Sequence, residues 1–306
     1  MTKTKLLKLI KRVRDELNMI EQEYSLIVDA AGTEKSIKFS PEKYKESLKN
    51  PDLERHLFIP DLHIPDHNKK AVEAVLNFIP DFRPTHIHIL GDVMDFQRAS
   101  DFLILDQNAP SLGQEIKATR AFLYDFMGRV NDLTIKPEVF WYQGNHEKRL
   151  EKFLAKGGNV LSDIENEIGE QLVSIPNIFG LEKLGIKFIK DYEMGKIGEA
   201  VVQHGKKVSQ KSGYTANAQI DQFGRTGISG HTHRFAIITK SYSDEVKWWI
   251  EAGSLCNLEP SSHYVVKPNW ANGFAVAIFD KKNNVLYPAP ILIQNNSFWF
   301  GEKIYR

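Results

Sequence analysis

The sequence HIHILGDVMD, which runs from His86 to Asp95, joins a strand to a polar turn. Its first five residues alternate between histidine and an aliphatic residue and end in leucine, as in a short β-strand. Gly91 then precedes Asp92, and Asp95 follows three residues later. Because it has no Cβ, a glycine lets the backbone approach a bound group closely. The stretch therefore predicts a strand that delivers carboxylates to one edge of a sheet.

Four other stretches repeat this arrangement, in which a strand-forming run ends in side chains able to bind metal ions. Alone, each of them also fits a solvated turn. Five of the ten histidines of the chain lie in the motifs, and carboxylate, amide and imidazole groups together suit divalent metals. The set therefore predicts a binuclear metal site at one sheet edge. The four further motifs are Asp61-Leu62-His63, Gly144-Asn145-His146-Glu147, His204-Gly205 and Gly230-His231-Thr232-His233.

The pattern of apolar residues alternates between strands and helices early in the chain and favours strands late. This order predicts an α/β fold with two packed sheets. Helices are predicted at 69–78, 116–130, 147–154 and 161–173. Strands are predicted at 56–59, 86–90, 139–142, 186–189, 200–203, 227–229, 235–239, 246–251, 273–279 and 285–293.

The amino-terminal residues, 1–53, are predicted to form a helical arm that precedes a main domain at 54–306. Apolar side chains recur every three or four residues between 4 and 24, with lysine and arginine on the opposite face, as in an amphipathic helix. Such an arm can pack on the main domain, form a homodimer with a second subunit, or bind nucleic acid through its basic face. The sequence leaves these roles open.

The composition narrows the class of protein only slightly. A chain of 306 residues can bury a large core, and its formal net charge of +1 neither requires nor excludes a nucleic-acid partner. The single cysteine, Cys256, excludes an internal disulfide framework and suits a reducing compartment. No stretch has the length and hydrophobicity of a membrane span or the pattern of a signal peptide. We therefore expect a cytoplasmic protein that does not bind membranes.

The five motifs together resemble the signature of the calcineurin-like metallophosphoesterase family, over about residues 56 to 294. The resemblance implies an αββα sandwich of two mixed sheets flanked by helices, with the site at the carboxyl ends of the strands. It makes the main domain a metallophosphoesterase domain. His146 is then the proton donor or phosphate contact, and Asp95 is the carboxylate that orients it. The implied ligands are Asp61, His63, Asp92 and His233 for one metal ion, and Asp92, Asn145, His204 and His231 for the other.

The same resemblance implies an enzyme that hydrolyses phosphate esters with a hydroxide held between two divalent ions. Manganese is the ion expected to support activity in vitro, with iron, zinc and cobalt as alternatives, because the ligands combine imidazole and carboxylate without thiolate. The arrangement is similar to that of stand-alone phosphoesterases of bacteria and their viruses. Nucleic acid or a nucleotide is therefore the expected substrate and partner.

One departure from the family pattern bears on the substrate. In the phosphoprotein phosphatases, Arg-Gly directly follows the second aspartate of the Gly-Asp motif, and the arginine grips a terminal phosphate. Here Phe96-Gln97-Arg98 follows Asp95, which favours a phosphodiesterase or nuclease. A phosphomonoesterase or protein phosphatase is the alternative function. A weakly catalytic scaffold held together by metals is a third hypothesis.

Four residues outside the metal motifs are candidate substrate contacts, namely Arg149, Ser212, Tyr214 and Arg234. The stretch 206–216 is predicted as a loop that rims the site, and its lysines form a candidate basic patch together with Arg234. A solvated loop explains these lysines equally well. Arg149 can likewise be an ordinary cation on the surface of a helix.

Overall fold

The computed structural model describes residues 50–100, 109–156, 171, 173–258 and 269–306. The chain divides into two compact units, Met1–Pro51 and Asp52–Arg306. The predicted amino-terminal arm lies outside the described residues except for 50–53, and the predicted helix at 161–173 lies almost wholly outside them. The second unit carries all five motifs.

The described part of the second unit contains both helices and strands. The strands are β1 (Leu53–Ile59), β2 (His86–Ile89), β3 (Glu138–Tyr142), β4 (Ile186–Ile189), β5 (Gly195–Ile197), β6 (Ala200–Gln203), β7 (Gly227–Ser229), β8 (Phe235–Ser241), β9 (Val246–Ala252), β10 (Gly273–Asp280), β11 (Val285–Leu292), β12 (Phe298–Phe300) and β13 (Lys303–Tyr305). The helices are α1 (Lys69–Phe82), α2 (Leu112–Asn131), α3 (Glu147–Ala155), α4 (Ile175–Phe179), α5 (Leu181–Leu184) and α6 (Tyr214–Phe223), with a short 3-10 helix at Gln97–Ala99.

The strands form two large mixed sheets and one small hairpin. The first sheet has the order β11-β10-β1-β2-β3-β4, in which β1 to β4 are parallel and β10 is antiparallel to both of its neighbours. The second sheet has the order β5-β6-β7-β9-β8, in which β6, β7 and β9 are parallel and the two edge strands are antiparallel. β12 and β13 pair separately. The prediction of two mixed sheets is confirmed.

The two sheets pack face to face, and helices cover each outer face. Between the sheets, Phe58 and Tyr142 of the first sheet meet Val202 and Ile250 of the second, and all four are buried. Helices α1 and α2 cover the outer face of the first sheet, and α6 packs on the second. The order of layers is therefore α, β, β and α. This is the order that the sequence pattern and its resemblance to the family signature predict.

Helix α1 shows how the sequence builds an outer layer. The Asn68 side chain begins the helix, because its oxygen accepts a hydrogen bond from the backbone amide three residues on, at 3.2 Å. Val75, Phe78 and Ile79 then recur at helical spacing and are buried, which stabilises the fold by about 1.5–3 kcal/mol for each side chain. The helix continues four residues beyond its predicted end, and Phe82 stacks on Phe78 with ring centroids 5.1 Å apart.

The structure corrects the predicted elements at several places. Strand β5, the β12–β13 hairpin and the short helices α4 and α5 are absent from the prediction. Helix α6 begins at Tyr214, inside the predicted loop at 206–216. Its polar residues mask the spacing of Ala216 and Ile220, which pack on the second sheet. Among the described helices, none is long and apolar enough to cross a bilayer.

Candidate metal centre

The five motif loops meet beyond the carboxyl ends of β1, β2, β3, β6 and β7. Two groups of three side chains lie there, each with candidate ligand atoms within 4.8 Å of one another. Each group combines an aspartate from the first sheet with a histidine from the second, so only the folded sandwich assembles it. Both aspartates are fully buried. The first group is Asp61, His63 and His233, and the second group is Asp92, His204 and His231.

The hydrogen bonds of His204 decide which ring nitrogen faces the second group. Nδ1 of His204 lies 2.6 Å from the Leu90 carbonyl oxygen, which can only accept, so Nδ1 carries a proton. Nε2 of the neutral ring then directs its lone pair toward Asn145 Oδ1 at 3.0 Å and Asp92 Oδ2 at 3.4 Å. Three acceptors around one point repel one another unless a proton or a metal ion lies between them.

His63 and His233 form a second convergence of the same kind. Nδ1 of His63 donates to Asp95 Oδ1 at 2.7 Å, so His63 Nε2 faces His233 Nε2 at 2.9 Å. In the second group, the buried Nδ1 of His231 has no hydrogen-bond partner. Divalent Mn, Fe, Zn and Co all bind carboxylate and imidazole ligands. The residues present therefore fit a metal centre.

The pKa values of the side chains in and beside the two groups show that both groups stabilise bound positive charge. Burial acts to lower the pKa of His204, but the Asp92 carboxylate outweighs it and the pKa rises to about 10. Burial also opposes protonation of His63, and Asp95 outweighs it, so the pKa rises to about 9. Burial raises the pKa of Asp61 to about 7. Without metal ions the groups hold protons at neutral pH, and a bound cation displaces such protons.

The loops that carry the candidate ligands have a strained backbone. Five of the ligands have a left-handed φ, which costs a non-glycine residue about 1–3 kcal/mol. Strain of this kind persists only where the surrounding structure enforces it, and it concentrates at functional sites. The five residues are Asp61 (φ +40°), His63 (+53°), Asp92 (+49°), His231 (+71°) and His233 (+56°).

Glu147 and Gly144 hold the loop that carries Asp92. The buried Glu147 carboxylate accepts hydrogen bonds from the backbone amides of Gly144 at 2.7 Å, Val93 at 2.8 Å and Asp92 at 3.0 Å. A Cβ at Gly144 would overlap the Asp92 carboxylate, so this close approach requires glycine. The sequence alone assigns Glu147 no role, because only the fold brings its carboxylate to the loop after β2.

Replacing Glu147 by glutamine is expected to lower the free energy of unfolding by about 1–3 kcal/mol. One carboxylate oxygen becomes an NH2 group, which cannot accept from a backbone amide and leaves a buried donor unpaired. Denaturant unfolding of the metal-free protein measures the loss, and equal stability of variant and parent would contradict the role of Glu147. Glu302→Gln, at an exposed turn, is the control and should change stability by less than about 0.5 kcal/mol.

His146 lies beside the two groups with both ring nitrogens engaged. Its Nδ1 is 2.9 Å from Asp95 Oδ1, and its Nε2 is 3.0 Å from the Arg149 guanidinium. Asp95 therefore contacts the rings of both His63 and His146, which form a third group of possible ligands with it. Hydrogen bonds already account for the contacts in that third group. The predicted roles of Asp95 as the carboxylate that orients His146, and of His146 in catalysis, both stay predictions.

The four predicted substrate contacts have different surroundings. Arg149 donates to the Asp95 carbonyl oxygen at 2.7 Å as well as approaching His146. Arg234 is buried, and its guanidinium donates to two backbone carbonyl oxygens. Both arginines therefore hold loops together. Ser212 and Tyr214 are exposed at the start of helix α6. Binding of substrate by these residues stays a prediction.

A cavity of about 190 Å³ opens beside the second group. Asn145 and His231 line it together with charged side chains, namely Lys148, Lys190, Lys206, Asp191 and Glu193. Lys148 and Lys206 pair with the Asp191 carboxylate, Lys206 at 2.9 Å. The cavity thus offers three cations and two anions next to the candidate ligands, and Asp191 partly neutralises the predicted basic patch.

Cys256 also lies beside the site, and the sequence alone does not predict this position. Its Sγ lies 3.8 Å from His233 Nδ1 and 3.2 Å from the Ser254 hydroxyl. Burial raises the pKa of the thiol to about 12, so the group stays protonated at neutral pH. Cys256 therefore packs against a candidate ligand as a neutral side chain.

Comparisons with known proteins give distant relatives. No family model matches the chain. It is 26% identical over 235 residues to the Gene 54 protein of Mycobacterium phage D29 and 26% identical over 236 residues to that of Mycobacterium phage L5, and each match covers 74% of this chain and 89% of the phage protein.

Solved structures that resemble the chain share little sequence with it. Vacuolar Protein Sorting 29 from Cryptosporidium parvum aligns with a TM-score of 0.41 and 13% identity over 83% of this chain and 98% of that chain. YfcE, a phosphoesterase from E. coli, aligns with a TM-score of 0.33 and 14% identity over 78% of this chain and 100% of that chain. The geometry of the site, rather than these likenesses, supports the function proposed below.

Proposed function

We propose that this protein is a metal-dependent phosphodiesterase with two divalent ions at the carboxyl edge of its sheets. The observation that carries the proposal is the convergence of two buried carboxylates with imidazole nitrogens and the exposed Asn145 amide oxygen in two adjacent groups. Manganese is the ion we propose for activity in vitro, because the ligands mix oxygen and imidazole nitrogen. The proposed ligands are Asp61, His63, Asp92 and His233 for one ion, and Asp92, Asn145, His204 and His231 for the other.

Asp92 is the proposed bridge between the two ions. Its Oδ2 lies 3.4 Å from His204 Nε2 in one group and 3.8 Å from His63 Nε2 in the other. Its Oδ1 accepts a hydrogen bond from the His146 amide at 2.9 Å. The carboxylate is therefore held between the two groups in a position from which it reaches both.

Divalent ions at such a site acidify a water molecule and neutralise the charge of a phosphate ester. The protein itself holds the ligands rigidly and places His146 beside them. Asp95 orients the His146 ring, because its carbonyl oxygen accepts from Nδ1 at 3.1 Å and its Oδ1 lies 2.9 Å from the same nitrogen. In the proposal, His146 Nε2 releases Arg149, takes up a proton from solvent so that the ring is an imidazolium, and hands this proton to the leaving oxygen.

The surroundings of Asp95 support a diester rather than a monoester substrate. Phe96 follows Asp95 and is completely buried, so the position directly after Asp95 supplies no arginine for a terminal phosphate. The nearby Arg149 already donates to the Asp95 carbonyl oxygen at 2.7 Å. The guanidinium of Arg98 donates instead to the carbonyl oxygens of Ala109 at 2.8 Å and Pro110 at 3.2 Å. We therefore propose that the substrate is a phosphodiester of nucleic acid or of a nucleotide.

Metal-stripped protein reloaded with Mn²⁺ is expected to hydrolyse bis(p-nitrophenyl) phosphate faster than p-nitrophenyl phosphate, and to lose both activities when the ion is chelated. Faster hydrolysis of the monoester would support the alternative, a phosphomonoesterase or protein phosphatase. No hydrolysis of either ester by the metal-loaded protein would support the metal-held scaffold. After a preference for the diester, single-stranded and double-stranded DNA and RNA are the substrates to compare.

A further inference from the structure

We infer that the opposite edge of the first sheet carries a separate cation site, formed by Glu54, His56 and His86, which takes Zn²⁺ or a similar divalent transition metal. Their candidate ligand atoms lie within 4.8 Å of one another. Glu54 and His56 lie near the amino end of β1, and His86 begins β2. Along β1, His56 precedes Asp61 by roughly 16 Å. The inference does not rest on the proposed function.

The register of the first sheet places these three side chains together. β1 and β2 pair in parallel with His56 opposite His86, and the two rings stack with centroids 4.5 Å apart. Glu54 lies two residues before His56, so its side chain points to the same face of the sheet. Buried parallel strands are normally apolar throughout. Paired histidines with a neighbouring carboxylate therefore depart from the usual composition of such strands.

The contacts of the Thr85 hydroxyl are compatible with a metal-binding tautomer of His86. Thr85 Oγ1 lies 3.1 Å from the Arg55 carbonyl oxygen and accepts from the Arg55 amide at 2.8 Å. When the hydroxyl donates to that carbonyl, its contact of 2.9 Å with His86 Nδ1 uses its remaining lone pair, and Nδ1 carries the proton. His86 Nε2 therefore keeps its lone pair. Metal-binding histidines have this arrangement, in which the other ring nitrogen donates to a fixed oxygen.

His56 contributes a buried nitrogen without a hydrogen-bond partner. The residue is 2% exposed, and its Nδ1 lies 3.0 Å from His88 Nε2, while His88 Nδ1 lies 3.0 Å from the Tyr142 hydroxyl. His56 Nε2 is unpaired, and Glu54 Oε2 approaches it to 3.4 Å without hydrogen-bond geometry. When His56 Nδ1 donates to His88, Nε2 and Oε2 are two acceptors that face each other. A cation between them satisfies both.

The charge state of the three side chains suits a metal ion. Burial lowers the pKa of His56 to about 3 and also lowers the pKa of His86, so no proton competes for either ring at neutral pH. Lys281 lies 3.6 Å from Glu54 Oε1, which leaves Oε2 for the ion. Two imidazoles and one carboxylate with an open fourth position form a known ligand set for zinc.

Equilibrium dialysis of the full chain against micromolar Zn²⁺, followed by elemental analysis, tests this site. The parent protein is expected to bind one more Zn²⁺ per chain than Glu54→Gln or His86→Gln. The matched control is Glu138→Gln, because Glu138 pairs with His86 in register on β3 but lies outside the group. This control is expected to bind as much Zn²⁺ as the parent. The difference between variants is the readout, so failure of the proposed binuclear centre does not affect it.

Equal Zn²⁺ content in the parent, Glu54→Gln and His86→Gln would overturn the inference and leave Glu54 as an ion-pair partner of Lys281. Circular dichroism of each variant shows whether it folds. If His86→Gln fails to fold, Glu54→Gln decides the matter, since Glu54 is only half-buried. A second readout is the melting temperature, which Zn²⁺ should raise more in the parent than in Glu54→Gln. An equal rise in both would count against the site.

Discussion

Replacement of Asp92 by asparagine is expected to lower metal-dependent hydrolysis of a phosphodiester by at least about 1,000-fold, equivalent to about 4 kcal/mol of transition-state stabilisation. Asparagine retains an oxygen that can accept from the His146 amide, as Asp92 Oδ1 does at 2.9 Å. It loses the negative charge and the second oxygen, which lies near His63 and His204. Steady-state kinetics with Mn²⁺ and elemental analysis of the same samples measure both the activity and the number of ions bound.

The matched control for this variant is Asp132→Asn, at an exposed position after helix α2, which should keep full activity. Circular dichroism and thermal unfolding of Asp92→Asn should show a folded protein, because the substitution changes little volume. Full activity in a folded Asp92→Asn protein would refute the assignment of the metal centre. Loss of activity with unchanged metal content would instead show that Asp92 is not a metal ligand and that it acts on the substrate.

Replacement of His146 by alanine is expected to lower turnover by about 100-fold to 10,000-fold while the bound metal stays unchanged. His146 belongs to neither of the two proposed ligand groups, so its ring can serve the leaving oxygen once Nε2 releases Arg149. A substrate with a more acidic leaving group should suffer less from the substitution, because it needs less help from a proton donor. Comparing diesters with leaving groups of different acidity therefore distinguishes proton donation from positioning.

The control for His146→Ala is His67→Ala, because His67 is also partly buried but lies outside every candidate group of ligands. It is expected to leave turnover unchanged. Loss of metal from His146→Ala would show that His146 is itself a ligand, together with His63 and Asp95. Unchanged turnover would leave the imidazole as a partner of Arg149 with no part in catalysis.

The sequence predicts much of the fold because its strands are short and sharply bounded. Strands β4, β6 and β7 have the bounds that the sequence predicts, since each contains strand-forming residues and is followed by a polar residue or glycine. The order of the strands in each sheet cannot be predicted in the same way. Nothing in the local pattern places β9 between β7 and β8, or β10 beside β1. That order depends on which faces pack together.

The sequence by itself determined which chemical groups stand at the ends of the strands, because residue type and position in a motif are local properties. Only the tertiary structure decided how these groups meet. His63 and His233 are 170 residues apart, yet their Nε2 atoms lie 2.9 Å from each other. Contacts between loops of different strands also produce the left-handed backbone of five candidate ligands. The hydrogen bond from the Asp92 amide to the Glu147 carboxylate arises in the same way. Such contacts leave no period in the sequence, because they form only when the two sheets pack.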